Sequence, residues 1–328
     1  MKSREVRLAR RPHGEPVPDD FELAEVDLPE PGEGRLVVRN VFMSVDPYMR
    51  GRMSDAPSYA PPYELGRVMY GGAVGEVIAG GEEGALVVHH LGWREHAIVA
   101  ANGVQPATVP EGVPASALLG ALGMPGLTAW VGVTDIAPVA EGETVFISAA
   151  AGAVGSVAGQ IAKARGCRVI GSAGSPEKVA YVRDELGFDA AFSHRDDVRA
   201  ALRDAAPDGV DVYFDNVGGP QLEAVIGALN EGGRIALCGA VSQYNATEPA
   251  PGPRNLAQLV GKRGRMHGFI ISDHGDRDPA FRAEVGALIS EGRLALAETV
   301  VEGGIEAAPQ AFVDMLAGRH LGKVVVAL

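Results

Sequence analysis

The sequence predicts an α/β protein in two parts: a doubly wound parallel sheet through its middle and a smaller, mainly antiparallel β domain. Three observations predict it. From Thr144 onward, short apolar runs alternate with helical segments, the pattern of parallel strands joined by helical crossovers. The first of these units carries a small-residue turn, Ala150-Ala151-Gly152-Ala153-Val154-Gly155, between its strand and its helix. Before about residue 122 the texture is different, with short β-type runs divided by Gly/Pro/Glu turns and no helical alternation.

Taken in order, residues 35–41, 73–79, 86–90 and 96–100 read as strands of the antiparallel part. The parallel part opens with strand 144–148, a helix to about residue 165 and strand 168–172. Helix 176–186, strand 190–193, helix 196–206, strand 210–214, helix 220–229 and strand 234–238 follow. After a Pro/Gly-rich loop comes a sixth strand at 266–271. Past Arg293 the pattern reverts to strand, helix 308–316 and a last strand 323–328, so the tail is expected to rejoin the first domain. The predicted domains are therefore 1–122 with 292–328, and 123–291, with the site in the cleft between them.

The small-residue turn is the strongest chemical signal. Ala150, Gly152 and Gly155 occupy the three positions of a G-x-G-x-x-G dinucleotide fingerprint. Small side chains let backbone amides approach a pyrophosphate, and the helix start supplies unpaired N–H groups and a positive dipole end. An NAD site normally adds an acidic residue about 20 residues further on. Here the second strand ends in Ser172-Ala173-Gly174-Ser175 without one. Ser175-Pro176 reads as an N-cap followed by proline at the first helical position. Lys178 then lies in a first turn, where a cation opposes the dipole and calls for an anion such as a 2′-phosphate. NADP is favoured over NAD.

Ligands of such sheets lie beyond the C-terminal strand ends. Asp215-Asn216-Val217-Gly218-Gly219, Gly239 to Asn245 and Phe269-Ile270-Ile271 end the fourth, fifth and sixth strands and are expected to face the nicotinamide half. Tyr244, in the second of these, is either a donor to a substrate carbonyl or a turn tyrosine without chemistry.

Composition narrows the classes. With 328 residues, 46% apolar content and a net charge of −13, the chain is an ordinary globular protein ill suited to nucleic acid or an anionic membrane. No apolar run approaches the roughly 18–20 residues of a membrane helix, and the N-terminus lacks a signal-peptide core, so the expected compartment is the cytoplasm. The two cysteines, Cys167 and Cys238, read as small buried hydrophobes rather than a disulfide or metal pair. His89 and His90 are adjacent in a strand and point to opposite faces, which makes a poor chelate. No metal is expected. Asp46 precedes a proline and reads as a turn residue.

Several segments resemble one family. Residues 40–53 (NVFMSVDPYMRGRM), Gly92-Trp93-Arg94-Glu95, residues 123–130 (GMPGLTAW), the fingerprint and residues 318–326 are similar to the medium-chain dehydrogenase/reductase superfamily, closest to its zinc-independent prostaglandin reductase and alkenal (curcumin-type) double-bond reductase branch. The resemblance runs essentially end to end. It implies a GroES-like catalytic domain plus a Rossmann domain, a homodimer, and NADPH-dependent reduction of the C=C bond of α,β-unsaturated ketones and aldehydes.

By the same resemblance, Gly152, Ala153, Val154 and Gly155 hold the pyrophosphate, while Ser175 and Lys178 lie at the 2′-phosphate. Asn216, the loop Cys238-Gly239-Ala240-Val241-Ser242 with Tyr244, and Phe269 to Ile271 line the rest of the cofactor, with Met124 and Thr128 near the nicotinamide. Tyr244 would stabilise the enolate and Tyr48 would be a pocket wall; separately from the resemblance, the position of Tyr63 in the Pro-rich loop Tyr59 to Tyr63 suggests a residue flanking the pocket. Two positions depart from the family pattern: His194 replaces a tyrosine beside the adenosine end, and His320 replaces an asparagine that contacts the cofactor. A zinc alcohol dehydrogenase with a cysteine ligand is excluded, because neither cysteine lies in the N-terminal domain. A zinc-independent quinone reductase, or a non-enzymatic NADPH-binding protein, remains the alternative.

Overall fold

Short runs rich in valine and other apolar residues form the N-terminal antiparallel strands. The computed structural model describes residues 1–328, the whole chain. It divides into one compact unit of residues 1–119, 298–320 and 324–328, and another of residues 120–297 and 321–323. In the first unit, β1 (Lys2–Leu8) and β2 (Phe21–Asp27) form a two-stranded antiparallel ladder. β3 (Arg35–Ser44) leads into the short helix α1 (Tyr48–Arg52). β4 (Ala73–Ala79), β5 (Leu86–His89), β6 (His96–Ala100) and β7 (Gln105–Pro106) complete the N-terminal strands. β4 and β6 both pair antiparallel with β3.

A core of large side chains lies under this sheet. Phe21 stacks on Trp93 at 5.9 Å, and Phe312 meets both rings edge-on. Met43, Met49, Met53 and Met69 fill the space around them, completely buried. Each such side chain contributes roughly 1.5–3 kcal/mol of burial free energy.

The second unit begins with α2 (Met124–Val131), which continues as one π-helical stretch through Ile136. β8 (Thr144–Ile147), α3 (Gly155–Ala164), β9 (Arg168–Ala173), α4 (Pro176–Asp184), β10 (Ala190–Ser193) and α5 (Val198–Ala205) follow. β11 (Val210–Asp215), α6 (Gly219–Ala228), β12 (Leu229–Leu237), α7 (Gln258–Lys262), β13 (Arg265–Gly268) and α8 (Asp278–Ser290) complete it. The six strands are parallel, in the order β10-β9-β8-β11-β12-β13. The order reverses between β8 and β11, which makes that the topological switch point where ligands of doubly wound sheets bind. Phe192, Phe146 and Tyr213 stack face to face across three strands, 5.5 and 5.2 Å apart.

Two strands differ in extent from the expectation. β12 starts at Leu229 rather than 234, because the chain pairs with β11 at Val210 before a register shift restores the ladder at Arg234. β13 stops at Gly268 rather than 271. Phe269 turns out of the sheet instead, its ring edge-on to Phe214 at 6.5 Å and to His274 at 6.3 Å.

The chain end supplies β14 (Glu298–Val301), α9 (Ala308–Leu316) and β15 (Lys323–Ala327). These strands extend the sheet of the first unit in the order β14-β15-β3-β4-β5-β7. No helix is long and apolar enough to cross a membrane.

Candidate cofactor and active site

The fingerprint turn is built around one left-handed residue and one close approach. Ala149 takes φ +49 directly after β8, and the Ala150 N–H bonds the carbonyl of Ser172 at 2.9 Å. This fastens the turn to β9. A Cβ on Gly155 would stand 2.4 Å from the Ala149 carbonyl oxygen, so only glycine allows α3 to start there. At Gly152 a Cβ would meet one atom of the chain, the same oxygen at 3.1 Å, and otherwise enter open space. Ala150 is completely buried, whereas Gly152, Ala153 and Val154 are half-buried. No side chain caps α3 and no acidic residue lies in its first turn. The Ser156 N–H bonds the Gly152 carbonyl at 3.0 Å, and the positive dipole end of the helix start would favour an anion. The turn fits a dinucleotide pyrophosphate: it has small residues, open space at Gly152 and an uncapped helix start.

The cap expected at the next helix is present. Ser175 Oγ accepts the Lys178 N–H at 3.3 Å, with Pro176 at the first helical position. Lys178 is half-buried, and burial lowers its ammonium pKa, a cost that a neighbouring anion would offset. His194 follows β10 and donates its N–H to Ala173 at 3.0 Å. Its Nε2 lies 3.2 Å from the Cβ position of Gly174, so the imidazole covers the end of β9.

At the switch point, the ends of β8, β11 and β12 are tied together. Asn216 donates its N–H to Ser148 Oγ at 2.9 Å and its amide Nδ2 to the Ser148 carbonyl at 2.8 Å. Asp215, completely buried, gathers four donors on Oδ1: Tyr213 Oη at 2.7 Å, Ser148 Oγ at 3.2 Å and the N–H groups of Val217 and Gly218 at 2.9 and 2.8 Å. Its Oδ2 is buried without a hydrogen bond. Gly218 takes φ +71 and is the N-cap of α6. Burial raises the Asp215 pKa above the ordinary aspartate value, against the pull of these donors.

The loop after β12 hangs on this turn. Asn216 and Val217 carbonyls accept the N–H groups of Val241 and Ser242, at 3.1 and 3.3 Å, and Ser242 Oγ donates to Val217 at 2.6 Å. Cys238 and Gly239 donate their N–H groups to the Asp215 carbonyl. Gln243 bonds back to Ala240 at 2.8 Å, and Tyr244 follows, half-buried. Its hydroxyl lies 3.1 Å from the Cβ position of Gly239, folded back over the end of β12. Thus Asn216, Cys238 to Ser242 and Tyr244 form one hydrogen-bonded cluster.

Other expected residues are more scattered. Met124, 38% exposed, opens α2, and Thr128 donates its hydroxyl to the Met124 carbonyl at 2.7 Å, one turn back. Phe269, Ile270 and Ile271 are half-buried after β13. His320 follows α9, in the first unit. Two residues on, Gly322 pairs with the fingerprint: its N–H reaches the Ala151 carbonyl at 2.7 Å in a bridge to Gly152.

In the first unit Tyr48 opens α1, half-buried, and burial raises its phenol pKa far above the ordinary value. Tyr63, expected to flank the pocket, is 1% exposed and packs within the core of this unit. Its hydroxyl donates to the Tyr70 carbonyl at 2.7 Å, and the Arg52 guanidinium covers both tyrosine rings at 4.4 and 4.2 Å. Ser44 Oγ bonds the buried carboxylate of Asp46. His89 is buried on Asn40 and the Leu91 amide while His90 is exposed, so the pair does not converge. Burial pushes the thiols of Cys167 and Cys238 up to about 11 and about 12, leaving both protonated. Cys167 is buried, Cys238 only partly.

Residues 4–107 match the family described as N-terminal domain of oxidoreductase, and residues 153–290 the family described as zinc-binding dehydrogenase. The NADPH-dependent curcumin reductase of Escherichia coli is 44% identical over 99% of this chain and 97% of its own length. The chain belongs to the medium-chain dehydrogenase/reductase family. Within it, the zinc-independent alkenal reductase branch fits the relatives: the NADP-dependent 2-alkenal reductase of Nicotiana tabacum is 40% identical over 99% of this chain and 97% of its own. Crystalline CurA from Vibrio vulnificus in complex with NADPH superimposes with a TM-score of 0.93 at 43% identity, over 99% of this chain and 98% of that one. This medium-chain reductase is an NADP-dependent oxidoreductase, and NADPH is its cofactor. Ser148 and Gly322 were not among the residues expected at the site, and Asp215 was expected there only as part of the strand end Asp215 to Gly219, without the hydrogen bonds its carboxylate collects. The only sequence signal for Asp215 was an acid closing an apolar strand just before Asn-x-Gly-Gly.

Proposed function

We propose that the chain reduces the C=C bond of α,β-unsaturated ketones and aldehydes, with Tyr244 as hydrogen-bond donor to the substrate carbonyl. Bound NADPH supplies the hydride. As the β-carbon is reduced, negative charge collects on the carbonyl oxygen of the substrate, and a fixed O–H donor lowers that transition state more than the ground state. Solvent protonates the α-carbon. The observation that carries this reading is the Tyr244 phenol folded over Gly239 at the end of β12, beside the switch point, on a loop tied to Asn216. A phenol on a tethered loop is pre-organised, whereas one on a free loop would lose much of its effect to disorder.

Further assignments belong to the same reading. Lys178 holds the 2′-phosphate and His194 flanks the adenosine. Tyr48 serves as a substrate contact, its phenol kept neutral by burial. The homodimer that the family resemblance implies has a candidate surface in the second unit: all four residues of the edge strand β13 are exposed, and nearby Val260 is 81% exposed. Sedimentation at the monomer mass would remove that proposal.

The test is NADPH consumption with a medium-chain 3-alken-2-one, beside a quinone and an NADH control, with products identified by mass spectrometry. A saturated ketone is expected, formed with NADPH. Tyr244→Phe is expected to lower kcat by about 10²–10³, the usual cost of one oxyanion donor, with NADPH affinity unchanged. Near-normal turnover of that variant removes Tyr244 from the mechanism, and turnover of the quinone alone overturns the enone reading.

A further inference from the structure

A buried carboxylate with four donors on one oxygen and none on the other is costly, and no step above uses it. Such a group persists where the surrounding geometry requires it. Asp215 closes β11 at the switch point, opposite the end of β8. Its side chain and main chain reach each element that ends there. Oδ1 receives the hydroxyl of Ser148, whose Oγ and carbonyl in turn accept both N–H groups of Asn216. It also receives the Val217 and Gly218 amides, which fixes the turn in the left-handed geometry at Gly218. The Asp215 carbonyl accepts the Cys238 and Gly239 amides at 2.9 and 3.1 Å, where the Tyr244 loop departs.

We infer that Asp215 is a positioning residue: through Ser148 and the Val217-Gly218 amides it fixes Asn216 toward the NADPH and sets the turn from which the Tyr244 loop hangs. An aspartate suits this task because a single carboxylate oxygen can accept several N–H and O–H donors from different directions. An alanine would leave two main-chain amides and the Tyr213 hydroxyl without this acceptor, and would leave the Ser148 hydroxyl only the Phe214 carbonyl at 3.4 Å. Tyr213 Oη contributes from below, so the same oxygen also links the turn to the aromatic stack of the core.

The effect on NADPH binding stands independently of the enone reading; the effect on turnover rests on it. The experiment is a double-mutant cycle read by NADPH dissociation constants, with Asp215→Ala and Asn216→Ala made singly and together. Asp215→Ala is expected to weaken NADPH about tenfold when Asn216 is present and less than about twofold when Asn216 is already alanine. Equal factors in both backgrounds, or no loss in either, overturn the inference, since a purely structural aspartate would act regardless of Asn216. If Asp215→Ala does not fold, the same cycle is run with Ser148→Ala, which removes the hydroxyl that links Asp215 to the Asn216 main-chain N–H and leaves the carboxylate and the Ser148 carbonyl in place. Non-additivity with Asn216→Ala then supports the inference, and additivity overturns it. A wild-type protein that binds NADPH and shows this coupling, yet reduces no enone, would sink the proposed reaction and leave the positioning role intact.

Discussion

Gly152 and Gly155 belong to the same fingerprint, but alanine at each should fail in a different way. At Gly155 the new Cβ would stand 2.4 Å from the Ala149 carbonyl oxygen and 3.0 Å from two further backbone atoms. None of these is a flexible side-chain end, so the turn or the start of α3 must move. Overpacking of this kind costs about 1–3 kcal/mol, and the reduced freedom of the unfolded chain returns about 0.4–1 kcal/mol. The net loss, centred near about 1.3 kcal/mol, should lower the apo melting temperature by roughly 3–5 °C, at about 2–4 °C per kcal/mol for a unit of this size. At Gly152 the single contact is 3.1 Å, which a few tenths of an ångström of relaxation relieves. Its apo melting temperature should stay within about 2 °C of wild type, because strain and chain-entropy gain nearly cancel. With the pyrophosphate at this turn, as proposed for the cofactor, the added methyl group should nevertheless lower NADPH affinity at least about tenfold. Melting curves with and without NADPH separate the two. Wild-type NADPH affinity in Gly152→Ala, or wild-type apo stability in Gly155→Ala, would refute the reasoning.

Two further outcomes are expected. Lys178→Ala should raise the KM for NADPH about 10–100-fold, the worth of one charge-assisted contact, and leave the KM for NADH nearly unchanged; a uniform rise for both cofactors would place the 2′-phosphate elsewhere. His89 is buried on Asn40, and burial lowers its pKa from 6.5 to about 4. In the interval the unfolded chain binds a proton that the folded chain does not, so stability is complete above pH ~6.5 and falls as the pH drops toward 4, by about 3 kcal/mol. Urea midpoints of wild type and His89→Gln between pH 7.5 and 4.5 check this, and a wild-type slope no steeper than the variant's would refute it.

The parallel sheet was largely legible in the sequence because its signals are local. Apolar runs broken by capped helices, Ser175-Pro176 at a helix start and glycine where α3 meets Ala149 each involve a few neighbouring residues, and their physics does not depend on the rest of the chain. Where a long-range partner overrides local preference, the reading missed. Phe269 leaves the strand expected for it because the Phe214 ring offers an edge-on contact, and β12 begins early because Leu229 pairs with Val210 across the sheet. Tyr63 does lie in a loop among prolines, but its burial against Arg52 and the Tyr70 carbonyl was not legible in the sequence. The cofactor and the reaction class could be read from the fingerprint, the missing acid after β9 and the family segments. What only the tertiary structure decided was how the site is held: Ser148, Asp215 and Gly322 are far apart in sequence, and neither composition nor periodicity says which buried acid will collect which amides. That depends on which strand ends become neighbours where the sheet reverses direction, a property of the assembled sheet and of no single segment.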